Sequence, residues 1–134
     1  MTGLTRRAVW LGLLVAAVGC GSTDRLWPAA GRVTFADGTP LAGGVIECRP
    51  ANGPGPTARG AIAADGRFSL ETSGRPGARA GSYRVVVLPP LVVGHAPHGA
   101  GVATRFGGFD SSGLGLEVPP GGTTALTVVV EAGR

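Results

Sequence analysis

Few side chains in this chain of 134 residues could do chemistry, and most of them stand apart from one another. The two histidines, His95 and His98, are spaced i, i+3 around Pro97 in the run 91–104 (LVVGHAPHGAGVAT). Two imidazoles can begin a Zn²⁺, Cu²⁺ or Ni²⁺ site, but a stable one wants three or four ligands, and Asp110 is the nearest acid in sequence. Cys48 would need a neighbouring base to act as a nucleophile. Its place in the alternating run Ile46-Glu47-Cys48 instead predicts a buried, inert thiol. Asp37 and Asp65 each precede a glycine, which predicts turns rather than a Ca²⁺ site, because Ca²⁺ needs clustered carboxylates. Ser111 and Ser112 have no base motif beside them, and no glycine-rich stretch lies between a strand and a helix to cradle phosphate. A non-enzymatic protein without a cofactor is therefore expected.

The remaining reactive group is Cys20, and its surroundings explain its use. Arg6 and Arg7 precede an apolar run, Ala8–Val18, and small residues lead from there into Gly19-Cys20. This charge–apolar–small order is that of an export signal. A run of 11 residues is shorter than the ~20 a helix needs to cross the hydrocarbon layer, so a cleaved signal is predicted over a permanent span. Ala17-Val18-Gly19-Cys20 resembles the lipobox of bacterial lipoproteins, although Ala17 stands where leucine is more usual. The resemblance implies cleavage between Gly19 and Cys20, a covalent diacylglyceryl lipid on the Cys20 thiol, and fatty acyl chains such as palmitate. Two acyl chains hold a protein stably on a membrane where one does not. Thr5–Leu11 also partly resembles a twin-arginine export signal. Gly21, rather than Asp, after the cysteine implies the outer membrane or cell surface over the inner membrane. Residues 1–19 thus read as a lipoprotein signal peptide and 20–30 as a lipidated tether.

Composition limits what the rest can be. The chain has 25 glycines and 11 prolines, yet its hydrophobic share is 43% and charged residues are few, which favours a turn-rich folded domain over disorder. Removing Arg6 and Arg7 lowers the formal charge from +4 to +2. The remaining arginines are scattered singly with no aromatic interleaving, which argues against nucleic acid as a partner. With Cys20 acylated, Cys48 has no intramolecular partner, so no disulfide framework is expected.

From Gly31 onward, β-branched runs alternate with turn residues and no helical period appears. Seven strands are predicted: 32–35, 45–49, 58–63, 67–72, 83–88, 114–118 and 126–130. Asp65-Gly66 is the strongest hairpin signal. The predicted inward register runs from Val33, Phe35, Ile46 and Cys48 through Ile62, Phe68 and Leu70. It continues with Tyr83, Val85 and Val87, then Leu114 and Leu116, and ends with Leu126, Val128 and Val130. Such spacing predicts a two-sheet sandwich.

The stretch 31–45 (GRVTFADGTPLAGGV), the hairpin Asp65-Gly66-Arg67-Phe68-Ser69-Leu70 and the strand Gly81-Ser82-Tyr83-Arg84-Val85-Val86-Val87 resemble the carboxypeptidase regulatory-like domains. Arg105-Phe106 with Asp110–Leu114 resembles a stretch of that family's bacterial lipoprotein members. The resemblance covers 31–131. It implies an all-β, seven-stranded antiparallel Greek-key sandwich of transthyretin-like (prealbumin-like) kind, acting as an accessory, structural or glycan-contacting module. One branch of that fold hydrolyses 5-hydroxyisourate with a C-terminal Tyr-Arg-Gly-Ser, whereas this chain ends Val130-Glu131-Ala132-Gly133-Arg134. The expectation is a membrane-anchored, extracytoplasmic cell-envelope interaction module whose partner is an envelope protein or a glycan. The alternative is an envelope metal-binding protein using His95 and His98.

Overall fold

Runs of valine, threonine and isoleucine separated by glycine and proline favour strands, because branched side chains pack well on a pleated surface and Gly or Pro stops the ladder. The computed structural model describes residues 25–90 and 101–133. Within them lie eleven strands and one turn of 3-10 helix. The strands are β1 Leu26–Trp27, β2 Ala29–Phe35, β3 Val45–Pro50, β4 Ala58–Ala61, β5 Arg67–Ser69 and β6 Glu71–Thr72. They continue with β7 Arg75–Pro76, β8 Ala78–Arg79, β9 Gly81–Leu88, β10 Leu114–Val118 and β11 Thr123–Val130. The 3-10 turn, Thr104–Gly107, lies between β9 and β10. The protein is all-β, and its sheets are antiparallel except at one pair.

A six-stranded sheet has the order β10-β9-β3-β4-β6-β7, a three-stranded sheet the order β11-β2-β5, and β1 pairs with β8 separately. One buried cluster joins the two larger sheets. Val33, Phe68, Val128 and Val130 come from the smaller sheet, and Ile46, Cys48, Val85, Val87 and Val118 from the larger. Of the residues expected to face inward, Phe35, Leu114, Leu116 and Leu126 are only partly buried but pack against this cluster, and the others are buried.

Three departures from the expected pattern have physical causes. First, the expected strand 67–72 divides at Leu70. Arg67–Ser69 pairs with β2 in one sheet, and Glu71–Thr72 pairs with β4 in the other. Leu70 is 1% exposed, and its N–H donates to the Ala29 carbonyl. Changing sheets there buries a large side chain between the layers, a standard way to turn a sandwich corner. Asp65-Gly66 therefore joins two sheets instead of closing a hairpin between β4 and β5. Gly66, at φ +84°, lies against the Val33 carbonyl, to which no Cβ could come so close.

Second, β11 pairs with β2 in parallel. The first long strand and the last run the same way, so their pairing needs the intervening chain as its crossover. A register irregularity between Thr123 and Leu126 falls where Gly31 meets Leu126. A Cβ on Gly31 would run into the Leu126 carbonyl and Cβ.

Third, part of the expected tether is folded. Leu26 and Trp27 pair with Arg79 and Ala78, Ala29 is 3% exposed, and Trp27 packs on the core. With β1, β7 and β8 added and 67–72 divided, the seven expected strands become eleven.

The side chain of Tyr83 anchors the corner before β9, where its hydroxyl donates to the Arg79 carbonyl at 2.7 Å. The segment after the undescribed 91–100 is tied to the chain end. Val102 bridges Ala132, the Ala103 N–H donates to Glu131 O, and Arg105 Nη2 lies 2.9 Å from Glu131 Oε2. Phe106 then drops into the core at 2% exposure.

Gly31→Ala is expected to destabilise the domain by about 1–3 kcal/mol through overpacking. Thermal melting should register this as a fall of roughly 4–8 °C per kcal/mol. Gly101→Ala, whose Cβ would meet nothing within 4 Å, should leave the melting temperature unchanged.

Candidate functional site

Alternation along the strands decides which polar groups reach solvent, and cross-strand register decides which of them meet. On β2 and β5, Arg32 stands directly opposite Arg67. On β3 and β9, Arg49 stands directly opposite Arg84. Like charges in direct cross-strand register repel, their Cβ atoms being about 4.5–5.5 Å apart.

The two pairs are treated differently. The loop before β10 covers the second pair. The Arg49 guanidinium stacks on the Phe109 ring at 4.0 Å from its centroid, and Arg84 Nη1 lies 3.5 Å from Asp110 Oδ1. Ser112, 5% exposed, fastens that loop by donating to the Val85 carbonyl and accepting from the Leu114 N–H at 3.2 Å. Ser111 Oγ donates to Arg105 O at 2.7 Å. Both serine hydroxyls are thus engaged in holding the loop.

No loop covers the first pair. Arg67 Nε has Asp65 Oδ2 at 3.5 Å, and Arg32 has no ion pair among the described residues. Both arginines border an open groove of about 1250 Å³ between β2, β4, β5 and β11. Arg59 also lines it, with its Nη2 3.3 Å from Glu47 Oε1, and Glu71 is the only acid on the wall. Two of the three guanidinium groups are already paired, Arg67 with Asp65 and Arg59 with Glu47, so Arg32 is the wall cation without an ion pair among the described residues. Ser69, Thr124 and Thr127 add hydroxyls, while Gly31, Gly60 and several alanines keep the floor low. The arrangement suits an elongated, oxygen-rich, anionic partner, since guanidinium pairs with carboxylate or phosphate through paired N–H donors.

A second groove, of about 700 Å³, lies at the end where the described chain begins. Trp27, Tyr83 and three prolines line it, and Arg25 sits over the Trp27 ring at 4.1 Å from the centroid.

The residues singled out from sequence fall as follows. Gly19, Cys20, His95 and His98 lie outside the described residues. Asp110, the acid nearest the histidines in sequence, pairs with Arg84. Asp37 Oδ1 accepts the Thr39 N–H at 2.9 Å and Asp65 Oδ1 the Arg67 N–H at 3.1 Å, so each closes its own turn. The Thr39 backbone bond, made to the ionised form, holds the Asp37 carboxyl below its ordinary value. Among the described residues no three His, Cys, Asp or Glu side chains converge on one point. Arg32, Arg59 and Arg67 were legible only as scattered arginines, because pairing register brings them together.

Cys48 is fully buried. Burial, with a smaller contribution from Glu47, pushes its thiol from the ordinary 9.0 up to about 12. Burial likewise raises the Tyr83 phenol. Comparisons with family models, curated proteins and solved structures return no match to this chain.

In a Cys20→Ser chain, Cys48 should resist a thiol reagent while folded and react with one equivalent once denatured. Its linkage has a definite sign. Between the unfolded value near 9 and the folded value near 12 only the unfolded chain gives up the proton, so stability falls as pH rises through that window. Denaturant unfolding at stepped alkaline pH reads this slope, and Cys48→Val should reduce it, leaving the part due to the raised Tyr83 phenol.

Proposed function

We propose that this chain is a lipid-anchored, non-catalytic cell-envelope module that holds an anionic partner, an acidic glycan in the first instance, in the groove bordered by Arg32 and Arg67. The single observation that carries the reading is the contrast between two facing arginine pairs. In one, Arg49 stacks on Phe109 and Arg84 lies beside Asp110. In the other, Arg67 lies beside Asp65, but Arg32 has no ion pair or ring contact among the described residues and borders the groove with the hydroxyls of Ser69, Thr124 and Thr127. An uncovered like-charge pair costs stability, and an acidic ligand would relieve that cost.

The lipid anchor is supported by the charge–apolar–small–Cys order ending at Cys20. Among the described residues, no helix is long and apolar enough to cross a membrane. The finer fold reading, a Greek-key sandwich of the transthyretin-like, carboxypeptidase regulatory-like kind, is supported by two features. One is the core shared between two sheets. The other is the Tyr83 hydroxyl bound to a carbonyl four residues upstream, as at the tyrosine corner of Greek-key sandwiches.

The chain's two ends suit such a module. β2 begins beside Trp27, whereas the turns 36–44 and 63–66 and the end of β9 with Pro90 lie toward the far end of the strands. An anchor at one end would thus present these turns away from the bilayer.

Two measurements test the reading. Mass spectrometry of the protein purified from membranes should show a chain beginning at Cys20 with a diacylglyceryl adduct, and a chain beginning at Met1 with an unmodified sulfur would overturn the anchor. Detergent-solubilised protein should be retained on immobilised alginate, a carboxylate polymer, and not on neutral dextran. Arg32→Ala and Arg67→Ala should each weaken retention about tenfold or more, the worth of a charged hydrogen bond. Equal retention of the double variant would exclude the groove.

A further inference from the structure

From the second groove we infer that the rim formed by Arg25 and Trp27 is a seat for the anionic phospholipid headgroup surface, so that the domain stands on the bilayer at a set orientation instead of swinging on a loose leash. The inference rests on the acylation of Cys20 proposed above.

Chain length comes first. Four residues lie between Cys20 and Arg25, and the five residue steps, at about 3.3–3.6 Å each, reach at most about 18 Å. Leu26 and Trp27 are then locked into pairing with β8. A domain held at Cys20 therefore cannot carry this rim far from the headgroup layer.

The chemistry of the rim comes second. Tryptophan, with an apolar body and one N–H donor, and arginine, with an apolar stem and a charged head, are the side chains that settle at the boundary between lipid and water. Trp27 is half-buried, which leaves part of its ring to make contact, and the Arg25 guanidinium lies over it. Pro50, Pro54 and Pro120 line the same groove, and none of the described residues lining it is an acid. Asp24 is the one acid between Cys20 and Arg25. Prolines also withhold backbone donors from this surface, so the contact is apolar and cationic instead of a strand-pairing edge.

The groove's position is the third point. It gathers the start of β9, the end of β3 and the start of the described chain. All of these lie at the end opposite the 36–44 and 63–66 turns. Seating this end would turn the 36–44 and 63–66 turns away from the membrane plane.

The experiment uses the full chain carrying Trp10→Phe, which leaves Trp27 as the sole tryptophan whether or not residues 1–19 are removed. The protein is reconstituted on vesicles of phosphatidylcholine alone or mixed with phosphatidylglycerol. Flotation reads anchoring, and Trp27 emission with brominated-lipid quenching reads seating. Flotation is expected on both compositions, with blue-shifted, quenchable Trp27 emission on the anionic vesicles only, reversed by high salt. Arg25→Gln should lower the ratio of seated to lifted protein about fivefold.

Flotation with Trp27 emission unchanged on anionic vesicles would overturn the seat and leave the anchor standing. No flotation together with no acyl mass on Cys20 would overturn the anchor, and the seat with it. A Trp27 response to soluble alginate without quenching by brominated lipid would assign the rim to a glycan and overturn the headgroup seat.

Discussion

Much of this structure depends on the parallel pairing of β2 with β11. β5 is only three residues long, so without β11 the smaller sheet would be a short two-stranded ribbon of marginal stability. The pairing sets Val33 beside Val128 in register, both nearly inaccessible, and forms one wall of the core. It also fixes the chain at both ends of the pairing. At one end, the Thr123 N–H donates to the Pro28 carbonyl, which fixes the chain just after Trp27. At the other, the continuation of β11 through Glu131 and Ala132 holds the segment 102–105 and, through it, Phe106. The close approach at Gly31 makes this possible, because the two backbones meet where any Cβ would collide.

The core is built from modest side chains. The chain has four phenylalanines and one tyrosine, and its buried cluster is mainly valine, isoleucine, leucine and alanine. Each contributes about 1.5–3 kcal/mol on full burial at the larger sizes and less for alanine, so close packing between sheets carries more weight than any one residue. Cys48 belongs to this layer as a small apolar group. The same burial that raises its thiol removes it from the chemistry a free cysteine otherwise offers.

Outside the core, charge is organised by coverage. On the six-stranded sheet Glu47 lies between Val86 and Arg59, and Arg59 faces Glu71, so opposite charges alternate across neighbouring strands. Exposed pairs of this kind contribute at most about 1 kcal/mol each. Their main effect is to keep that face polar and neutral. The Arg49/Arg84 pair is brought into the same scheme by an aromatic ring and a carboxylate from one loop. In the Arg32/Arg67 pair, Arg67 is matched by Asp65 while Arg32 has no ion pair among the described residues, which sets Arg32 apart from this scheme.

The sequence by itself determined that the chain is all-β, roughly where its longer strands lie, which side of them faces the core, and that the two Asp-Gly pairs turn the chain. These follow from alternation, branching and the Asp-Gly chemistry of 37–38 and 65–66, all read within a few neighbouring residues. The four partly buried members of the inward register, Phe35, Leu114, Leu116 and Leu126, still lie against the core. Only the tertiary structure decided which strands are neighbours. That choice made Leu70 a sheet-switching corner, drew Trp27 out of the tether into a paired strand, closed the chain with a parallel pair, and set Arg32 opposite Arg67. The physical reason is that a strand's hydrogen-bonding edges are chemically alike whatever its sequence. Long-range packing selects their partners, and no local pattern of residues records that selection.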